Sequence, residues 1–283
     1  MPERPDLEYV VPILARELGG RTITGVRVKK PVVLRVAVEG KLDEIIAGQA
    51  IDTVARRAHF VDFRLAGALE LVVSPMLAGR FTLAPAGDKS PADLAVAFAL
   101  DDGRELRYRD DVQMGKVYLI RKVDEGQIPG YAKIGLDILN KKIFTRDAFR
   151  KLAARRRDQV KVFLMDKTAI DAMGNAYADE VLWEARLHPK TFVKALAPAE
   201  VDALHDAIVK VIGGATKTIA ARKPALDEKL RDFLMVRGRR GEPCPRCGDK
   251  LRSAGVHGHD AEFCPTCQPA TRRSGIVDWK IPP

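Results

Sequence analysis

The four cysteines constrain this chain more than any other feature of its sequence. Cys244 and Cys247 form one CxxC corner, Cys264 and Cys267 form a second after sixteen intervening residues, and the other 279 residues contain no cysteine. Two such corners can bring four thiolates into a tetrahedron around one zinc ion, and the segment between them can form a short hairpin. Disulfides or two separate redox pairs are the alternatives, but the cysteine-free remainder is not typical of a disulfide scaffold. We therefore predict one structural Zn2+, because four protein sulfurs leave no open coordination position.

The charge balance favours a polyanionic partner. Lysine and arginine total 48 against 38 aspartates and glutamates, which gives a formal net charge of +10. Such an excess points to nucleic acid first and to an anionic membrane second. No apolar run approaches the roughly 20 residues that span a bilayer, and the charged start lacks the apolar core of a signal peptide. We expect a cytoplasmic protein that contacts no membrane, which agrees with reduced cysteines holding a metal.

Hydrophobic periodicity predicts a first helix and then a series of strands. The helix covers residues 7–18 and ends at Gly19-Gly20. Short alternating stretches at regular spacing suggest a β-sandwich or barrel. These stretches are 22–28, 34–38, 51–56, 60–65, 69–73, 81–83, 94–98 and 105–108.

Beyond a break at residues 126–130 the sequence reads as helical. Thr145 is placed to cap a helix over 146–154, and Asp158 is placed to cap another over 159–165. A third helix is predicted over 176–186, and a fourth begins at Pro198 and ends at Gly213-Gly214. The predicted fold class is α+β with several domains: a β-sandwich, a helical domain and a zinc hairpin.

Two segments are strongly basic. Residues 146–161 contain seven lysines and arginines against two aspartates, and residues 217–240 contain eight against three acidic residues. A charge run is usually a solvated helix face. Beside a zinc hairpin in a basic protein, we favour a surface that follows a phosphate backbone.

A continuous motif in the helical region resembles a known family. Residues 160–167 read VKVFLMDK, residues 174–182 read GNAYADEVL, and His188-Pro189 follows. This pattern is similar to the helix-two-turn-helix of the formamidopyrimidine-DNA glycosylase and endonuclease VIII family. The start Met1-Pro2-Glu3 and the zinc hairpin that runs through Gln268 agree. The resemblance spans nearly the whole chain and implies a catalytic β-sandwich domain over 1–128, a helix-two-turn-helix DNA-binding domain over 129–236 and a zinc-finger hairpin over 237–283.

The resemblance implies a chemistry for the amino terminus. In the family the proline after the initiator methionine is the nucleophile, so Pro2 would form a Schiff base with the sugar and Glu3 would act as acid/base. Asp6 keeps a carboxylate where the family usually has glutamate, and we expect it to be a catalytic residue together with Pro2 and Glu3. The implied function is base-excision repair by a DNA glycosylase with AP-lyase activity that removes damaged bases. We expect these bases to be oxidised. Many proteins also begin Met-Pro-Glu without using the proline, and no organic cofactor is implied.

The resemblance also implies DNA contacts. Lys161 and Asn175 would hold phosphate near the lesion, since backbone N–H groups at a helix start suit a phosphate oxygen. The alternative for Asn175 is a helix cap alone. The zinc hairpin would place His257, His259 or Lys250 along a groove.

Several charged contacts of the family are replaced in this chain. His59 stands where a lysine is expected, and His259 stands where the zinc hairpin normally has arginine. Leu77 can still act as an apolar wedge, followed by Arg80, but the loop at 110–116 has neither arginine nor an aromatic residue.

Two explanations follow from these replacements. One is an active enzyme that favours single-stranded, bubble or distorted DNA, and the other is a protein that binds DNA or abasic sites without cleaving. We favour the first because the catalytic start is intact, and we expect a monomer with DNA as its partner. An RNA- or ribosome-associated zinc ribbon fits the charge but not the helix-two-turn-helix motif.

Overall fold

A computed structural model describes residues 2–270, which form two compact units. The first unit extends to residue 133 and includes 219–229, and the second contains the rest of the described chain. Each unit has its own buried apolar core. No helix in the described chain is long and apolar enough to cross a membrane.

The first unit consists of a leading helix and two sheets. Helix α1 (Arg4–Leu18) starts three residues earlier than predicted, because Pro5 lies in its first turn, where a missing N–H costs nothing. The elements that follow are β1 (Ile23–Val28), β2 (Leu34–Val36), α2 (Leu42–Ile46), β3 (Ile51–Arg57), β4 (Phe60–Leu65), β5 (Leu69–Ser74), β6 (Arg80–Pro85), β7 (Leu94–Leu100), β8 (Arg104–Arg109) and β9 (Lys116–Arg121). A four-stranded sheet has the order β1-β7-β8-β6, and a five-stranded sheet has the order β2-β9-β5-β4-β3. All strand pairs of this unit are antiparallel except β2 with β9.

One apolar cluster joins both sheets and α1. It includes Leu14 from the helix, Phe63 and Leu119 from the larger sheet, and Phe98 and Leu106 from the smaller one. All five side chains are at most 2% exposed. The predicted two-sheet domain with a leading helix is confirmed.

Two elements of this unit were not predicted. Strand β9 pairs with both β5 and β2, and Val117 and Leu119 contribute buried side chains to the core. Helix α2 has only five residues, which is too short for a helical period to show in the sequence.

The second unit combines helices with a two-stranded hairpin. Its helices are α3 (Arg146–Ala154), α4 (Val160–Met165), α5 (Asn175–Glu184) and most of α6 (Pro198–Arg222). Strands β10 (Arg252–Val256) and β11 (His259–Phe263) form the hairpin between the cysteine pairs. Thr145 caps α3 as predicted, accepting the Ala148 N–H at 3.2 Å.

The predicted end of α6 at Gly213-Gly214 was wrong. The helix continues through both glycines, because Ile212 and Ala215 extend its buried face into the second core. This packing outweighs a cost of roughly 1 kcal/mol for each glycine. The helix ends instead just before Pro224, which cannot continue it.

The predicted cap at Asp158 was also wrong. Gln159 is the N-cap of α4, and no side chain caps that helix. The Asp158 carboxylate instead accepts the Nε–H of Arg156 at 3.0 Å.

The compact units do not coincide with the three predicted domains. Residues 219–229 pack with the first unit, whereas the helices and the zinc hairpin lie together in the second. The boundaries at 128 and 236 remain a prediction about function.

Candidate active site and nucleic-acid interface

The amino terminus is organised by a reciprocal pair of hydrogen bonds. Glu3 is the N-cap of α1, and its backbone N–H donates to Oδ2 of Asp6 at 2.8 Å. The Glu3 carboxylate in turn accepts the backbone N–H of Asp6. This is a capping box, and it fixes both carboxylates at the positive end of a fifteen-residue helix. Glu3 and Asp6 are 4% and 6% exposed, so two buried carboxylates directly follow Pro2.

Pro2 lines a small pocket in the first unit. Asp6, Arg80 and residues 226–229 line the same pocket. Its cavity of about 20 Å3 holds about one water molecule. A nucleobase therefore cannot enter this space unless the chain around it moves.

Three polar contacts hold residues 223–229 against the rest of the first unit. Asp227 forms an ion pair with Arg109, and the Lys229 ammonium donates to the carbonyl of Leu77 at 3.2 Å. The Tyr9 hydroxyl donates to the carbonyl of Pro224 at 2.9 Å. Since the helical residues up to Arg222 precede this segment, it is the short non-helical stretch that lies beside Pro2.

Two tight loops of the first unit expose apolar side chains. The turn before β6 presents Leu77, and the turn before β9 presents Val112 and Met114; these side chains are 54%, 51% and 45% exposed. A Cβ on Gly79 would lie 2.4 Å from the Tyr108 hydroxyl, and one on Gly115 would lie 1.8 Å from it, so both loops need glycine there. The loops therefore approach each other at this hydroxyl and form an apolar edge.

The second of these loops is fixed from within. Asp110 is fully buried and accepts the N–H of Gln113 at 2.9 Å and of Gly115 at 2.8 Å. Lys116 turns its ammonium to loop carbonyls, the nearest being that of Gly115 at 3.1 Å. The backbone of Gln113 has a φ angle of +60° in this loop. The described loop thus presents Val112, Gln113 and Met114 without a cation directed outward.

The first-unit residues predicted to contact DNA have different environments. Leu77 is exposed as expected of a wedge. Arg80 donates to Asp93 at 3.0 Å, so its charge is already partly neutralised. His59 was predicted to contact DNA, but its ring is 8% exposed and packs on Phe60 with centroids 4.1 Å apart. His59 therefore fills the base of the β3–β4 turn in the free protein, and its contact with DNA stays a prediction.

The neighbouring arginines do not present a free charge in place of His59. The Arg56 Nε lies 3.0 Å from a carboxylate oxygen of Glu8. The Arg57 guanidinium lies over the Tyr131 ring, 4.4 Å from its centroid. Both side chains are therefore engaged inside the first unit.

Lys161 lies at the centre of a buried network in the second unit. Its side chain is 1% exposed, and its ammonium donates to Asp179 at 2.5 Å and to the carbonyl of Asp260 at 2.6 Å. Burial lowers the pKa of Lys161, and the Asp179 carboxylate opposes part of that shift. Burial also raises the pKa of Asp179, against the influence of Lys161. In the free protein the ammonium joins α4, α5 and β11, and the phosphate contact of Lys161 stays a prediction.

Asn175 is the first residue of α5 and not its cap. The N-cap is Gly174, and the Asn175 amide donates to Oδ1 of Asp260 at 2.9 Å. Arg237 donates to the other oxygen of Asp260 at 2.9 Å and to Asp179 at 3.0 Å. Three polar side chains therefore meet at the start of α5.

Glu180 anchors the segment that enters the zinc hairpin. Its carboxylate accepts the backbone N–H groups of Met235, Val236 and Arg237 at 2.7, 2.9 and 2.8 Å. Asp179 also accepts the N–H of Glu262 at 3.1 Å. The two consecutive carboxylates of the GNAYADEVL motif thus attach α5 to the carboxy-terminal hairpin.

The four predicted metal ligands converge. The sulfur atoms of Cys244, Cys247, Cys264 and Cys267 all lie within 4.8 Å of one another. Four sulfurs at about 2.3 Å from a zinc ion would be separated by about 3.8 Å, so the cluster suits a tetrahedral ion. Trp183 supports it, donating its indole N–H to the Cys244 sulfur at 3.4 Å. The described cluster can therefore hold one structural metal ion in the predicted four-sulfur arrangement.

The end of the zinc hairpin is tied to the helices. Gln268 is fully buried, accepts the Cys264 N–H at 3.0 Å and donates to the Leu187 carbonyl at 2.9 Å. At the opposite end, His257 and His259 are exposed around the β10–β11 turn, as is Lys250 before β10. Their exposure leaves the predicted contacts with DNA open.

Sequence reasoning missed several residues of these sites. Asp260 and Arg237 are charged neighbours of Asn175. Arg237 and Asp260 are 23 residues apart in the chain, and no spacing rule links the two. Val112 and Met114 had a readable signal, since apolar residues in a short acidic turn are unusual. Asp227 and Lys229 had none, because their partners lie in other strands and loops.

Comparison with known proteins places these features in one family. Residues 1–117 match the formamidopyrimidine-DNA glycosylase N-terminal domain, residues 134–223 match the formamidopyrimidine-DNA glycosylase H2TH domain, and residues 241–270 match the zinc finger found in FPG and IleRS. The formamidopyrimidine-DNA glycosylase of Symbiobacterium thermophilum is 34% identical over 275 residues, covering 95% of this chain and 90% of the relative. That of Pelotomaculum thermopropionicum is 33% identical over 274 residues, covering 95% and 99%.

Solved structures give the same result. Lactococcus lactis Fpg in complex with DNA that contains an abasic site has a TM-score of 0.84 and 26% identity, covering 95% of this chain and 100% of that chain. The same protein with N7-benzyl-Fapy-dG-containing DNA has a TM-score of 0.85. With relatives above 30% identity along nearly its whole length and three domain matches in order, the chain belongs to the formamidopyrimidine-DNA glycosylase family.

Proposed function

We propose that this protein is a base-excision repair DNA glycosylase with AP-lyase activity that removes oxidised bases through a Schiff base on Pro2. The observation that carries the proposal is the arrangement at the amino terminus. Pro2 immediately precedes the buried Glu3–Asp6 capping box and lines a pocket. Family membership and the DNA-bound structures of the relatives support the same function.

The nucleophile is the Pro2 nitrogen after removal of Met1. A free α-amino group titrates near ~8, so a useful fraction is uncharged at neutral pH. The nitrogen bonds to C1′ of the sugar as the bond from C1′ to the damaged base breaks, and the base leaves with the bonding electrons and takes a proton from solvent. Loss of the nitrogen-bound proton and opening of the C1′–O4′ bond then give an iminium ion and a hydroxyl on C4′.

Glu3 is proposed to carry that proton. Its carboxylate directly follows Pro2 in the chain and is fixed by the capping box of α1, so a proton acceptor is held beside the reacting amine. It receives the proton from the Pro2 nitrogen and returns it to O4′ as the ring opens. Asp6 is a positioning residue, because it holds the Glu3 backbone rather than the reacting atoms.

The lyase step follows from the iminium ion. The positive nitrogen acidifies the C2′ proton, and its loss expels the 3′ phosphate with the electron pair of the C3′–O bond. Water then hydrolyses the iminium and restores the Pro2 amine. No organic cofactor is needed, because the iminium ion formed from the amine acts as the electron sink.

We propose single-stranded or distorted DNA as the preferred substrate. The target base must leave the stack, and the exposed Leu77, Val112 and Met114 can fill the gap it leaves. The same loop turns Lys116 to its own carbonyls and offers no cation to the opposite base. A site without that contact gains little from a fully paired partner strand.

One structural zinc ion would hold the carboxy-terminal hairpin through Cys244, Cys247, Cys264 and Cys267. His259 and Asn175 remain the proposed DNA contacts of the second unit, together with Leu77 and Arg80 of the first. We propose that the protein acts as a monomer in the cytoplasm, on the nucleoid.

Borohydride trapping on an oligonucleotide with one abasic site tests the proposal. Protein verified by mass to start at Pro2 is compared with Pro2→Gly and Glu3→Gln on single-stranded and duplex DNA. We expect a covalent complex that weakens strongly in Pro2→Gly and forms more readily on single strands.

Failure to trap has a defined meaning. If the verified protein binds both DNAs but gives no adduct, it is a non-catalytic DNA- or abasic-site-binding member of the family. A clear preference for excising oxidised guanine from fully paired duplex would contradict the proposed substrate.

A further inference from the structure

The carboxylate of Asp260 lies between two hydrogen-bond donor groups at the surface of the second unit. Its carboxylate accepts the amide of Asn175 at 2.9 Å and the guanidinium of Arg237 at 2.9 Å. The side chain is 56% exposed, so solvent and solutes reach it. These bonds and partial burial act in opposite directions: burial raises the pKa of Asp260, but the bonds from Arg237 and Asn175 leave it lowered overall.

The same donors are suited to a phosphate. A guanidinium and a side-chain amide at the first turn of α5, a helix of ten residues, recognise two oxygens of one tetrahedral anion as readily as two oxygens of a carboxylate. Arg237 is fixed in place independently of Asp260, because its guanidinium also donates to the buried Asp179 and its backbone N–H donates to Glu180.

The positive charges of this cluster are already matched by carboxylates. Lys161 and Arg237 contribute two positive charges, and Asp179 and Asp260 contribute two negative ones. The Glu180 carboxylate, which accepts the Arg237 backbone N–H, adds a further acidic group. An additional anion therefore gains no net attraction while the Asp260 carboxylate remains. Without that carboxylate the cluster carries one negative charge fewer, and the donors that faced it can bind an anion.

We propose that Asp260 is an internal counter-ion that occupies a phosphate-binding site, and that a DNA phosphodiester displaces it when DNA binds. The proposal deepens the proposed function, since it rests on DNA as the partner. Only the side chain needs to move. The Asp260 backbone is held by pairing with Gly255 on β10 and by the bond from Lys161 to its carbonyl.

This exchange has a consequence for binding. DNA must replace a carboxylate rather than fill an empty site, so the free protein holds DNA less tightly than its donors allow. Removing the carboxylate by the isosteric Asp260→Asn should raise affinity and add about one phosphate contact to the salt dependence.

Fluorescence anisotropy measures this with the full-length protein and a labelled duplex that carries a tetrahydrofuran abasic analogue, which has no base to lose. We expect Asp260→Asn to bind about 3- to 10-fold more tightly at about 0.1 M salt, with a log–log salt slope steeper by about 0.9. The matched control is Glu44→Gln, which makes the same charge change at a side chain that is 66% exposed on α2, outside the two basic segments. The gain should disappear in Arg237→Gln/Asp260→Asn.

Equal affinities of Asp260→Asn and Glu44→Gln would overturn the proposal. Weaker binding by Asp260→Asn would also overturn it, and would make Asp260 a residue that positions Arg237 and Asn175. A thermal shift of Asp260→Asn with inorganic phosphate, unaccompanied by tighter DNA binding, would assign the site to free phosphate and contradict the DNA exchange.

The outcome is independent of catalysis. If no covalent complex is trapped but Asp260→Asn still binds DNA more tightly, the proposed chemistry fails and the counter-ion stands. If trapping succeeds and Asp260→Asn changes nothing, only the counter-ion proposal fails.

Discussion

The amino-terminal site of the first unit and the charged network of the second are built in opposite ways. Pro2, Glu3 and Asp6 are neighbours in sequence, and one helix start arranges them. The second site joins Asn175 to Asp260 across 85 residues and neutralises its charges internally. A site made of neighbouring residues can be predicted from the sequence. A site made of distant partners cannot, because the sequence does not show that its charged residues are already paired.

Removing the metal should separate the two regions most strongly. The hairpin lacks a large core of its own, and structural zinc contributes on the order of 10 kcal/mol to such modules. We expect Cys244→Ser or a strong chelator to unfold β10 and β11 and to abolish DNA binding, while the first unit keeps its fold. Metal analysis with hydrogen exchange checks this. Well under one zinc per chain in fresh, fully folded protein would contradict the metal assignment.

Lys161→Met should show whether Lys161 is structural. It leaves the Asp179 carboxylate buried with one partner fewer, and breaking a buried pair costs roughly 3–5 kcal/mol. We expect a large loss of stability in urea unfolding, partly restored in Lys161→Met/Asp179→Asn. A direct phosphate contact predicts the reverse: weaker DNA binding with unchanged stability.

The first unit contains a contrasting cluster whose acids lack sufficient counter-charge. Burial, with Glu125 and Asp62 nearby, raises the pKa of Glu70 to about 7, and burial raises that of Asp62 to about 6. The folded protein therefore retains protons that the unfolded chain releases, and stability contributed by protonation is lost as pH rises from about 4.5 through 7.

Glu70→Gln resembles the protonated form and should not suffer that loss. We expect it to raise the free energy of unfolding by about 1–2 kcal/mol at pH 8 and to have no such advantage at pH 4.5. Urea unfolding at the two pH values measures the difference. An equal stabilisation at the two pH values would show that titration of Glu70 is not its cause.

Asp6→Ala should have the smallest effect on stability and a selective effect on chemistry. Losing half of a capping box costs about 1 kcal/mol, but it also releases the backbone that carries Glu3 and Pro2. We expect trapping to slow more than the stability change explains, with Asp6→Asn intermediate because it retains an acceptor. If a folded Asp6→Ala protein is trapped at the wild-type rate, the proposed positioning role of Asp6 is contradicted.

The fold was predictable where one side-chain pattern decides it. The end of α1 at Leu18, the cysteine corners and the Thr145 cap depend on adjacent residues, and each was located from the sequence. The continuation of α6 through Gly213-Gly214 was not predictable, because tertiary packing overrides the local preference of glycine.

The same division holds for the sites. The sequence gives no sign that the fold buries Lys161 against Asp179. It also gives no sign that the ring of His59, at a hairpin turn, packs on Phe60. Burial and pairing of charges depend on contacts between distant segments, and a single sequence contains no direct signal for them.

Mass spectrometry of the borohydride-trapped complex tests the central claim most directly, because it locates the bond between protein and DNA. After digestion of both components, the account predicts a sugar remnant on the amino-terminal peptide, attached to the Pro2 nitrogen. A remnant attached instead to a lysine side chain, with an unmodified Pro2, would contradict it.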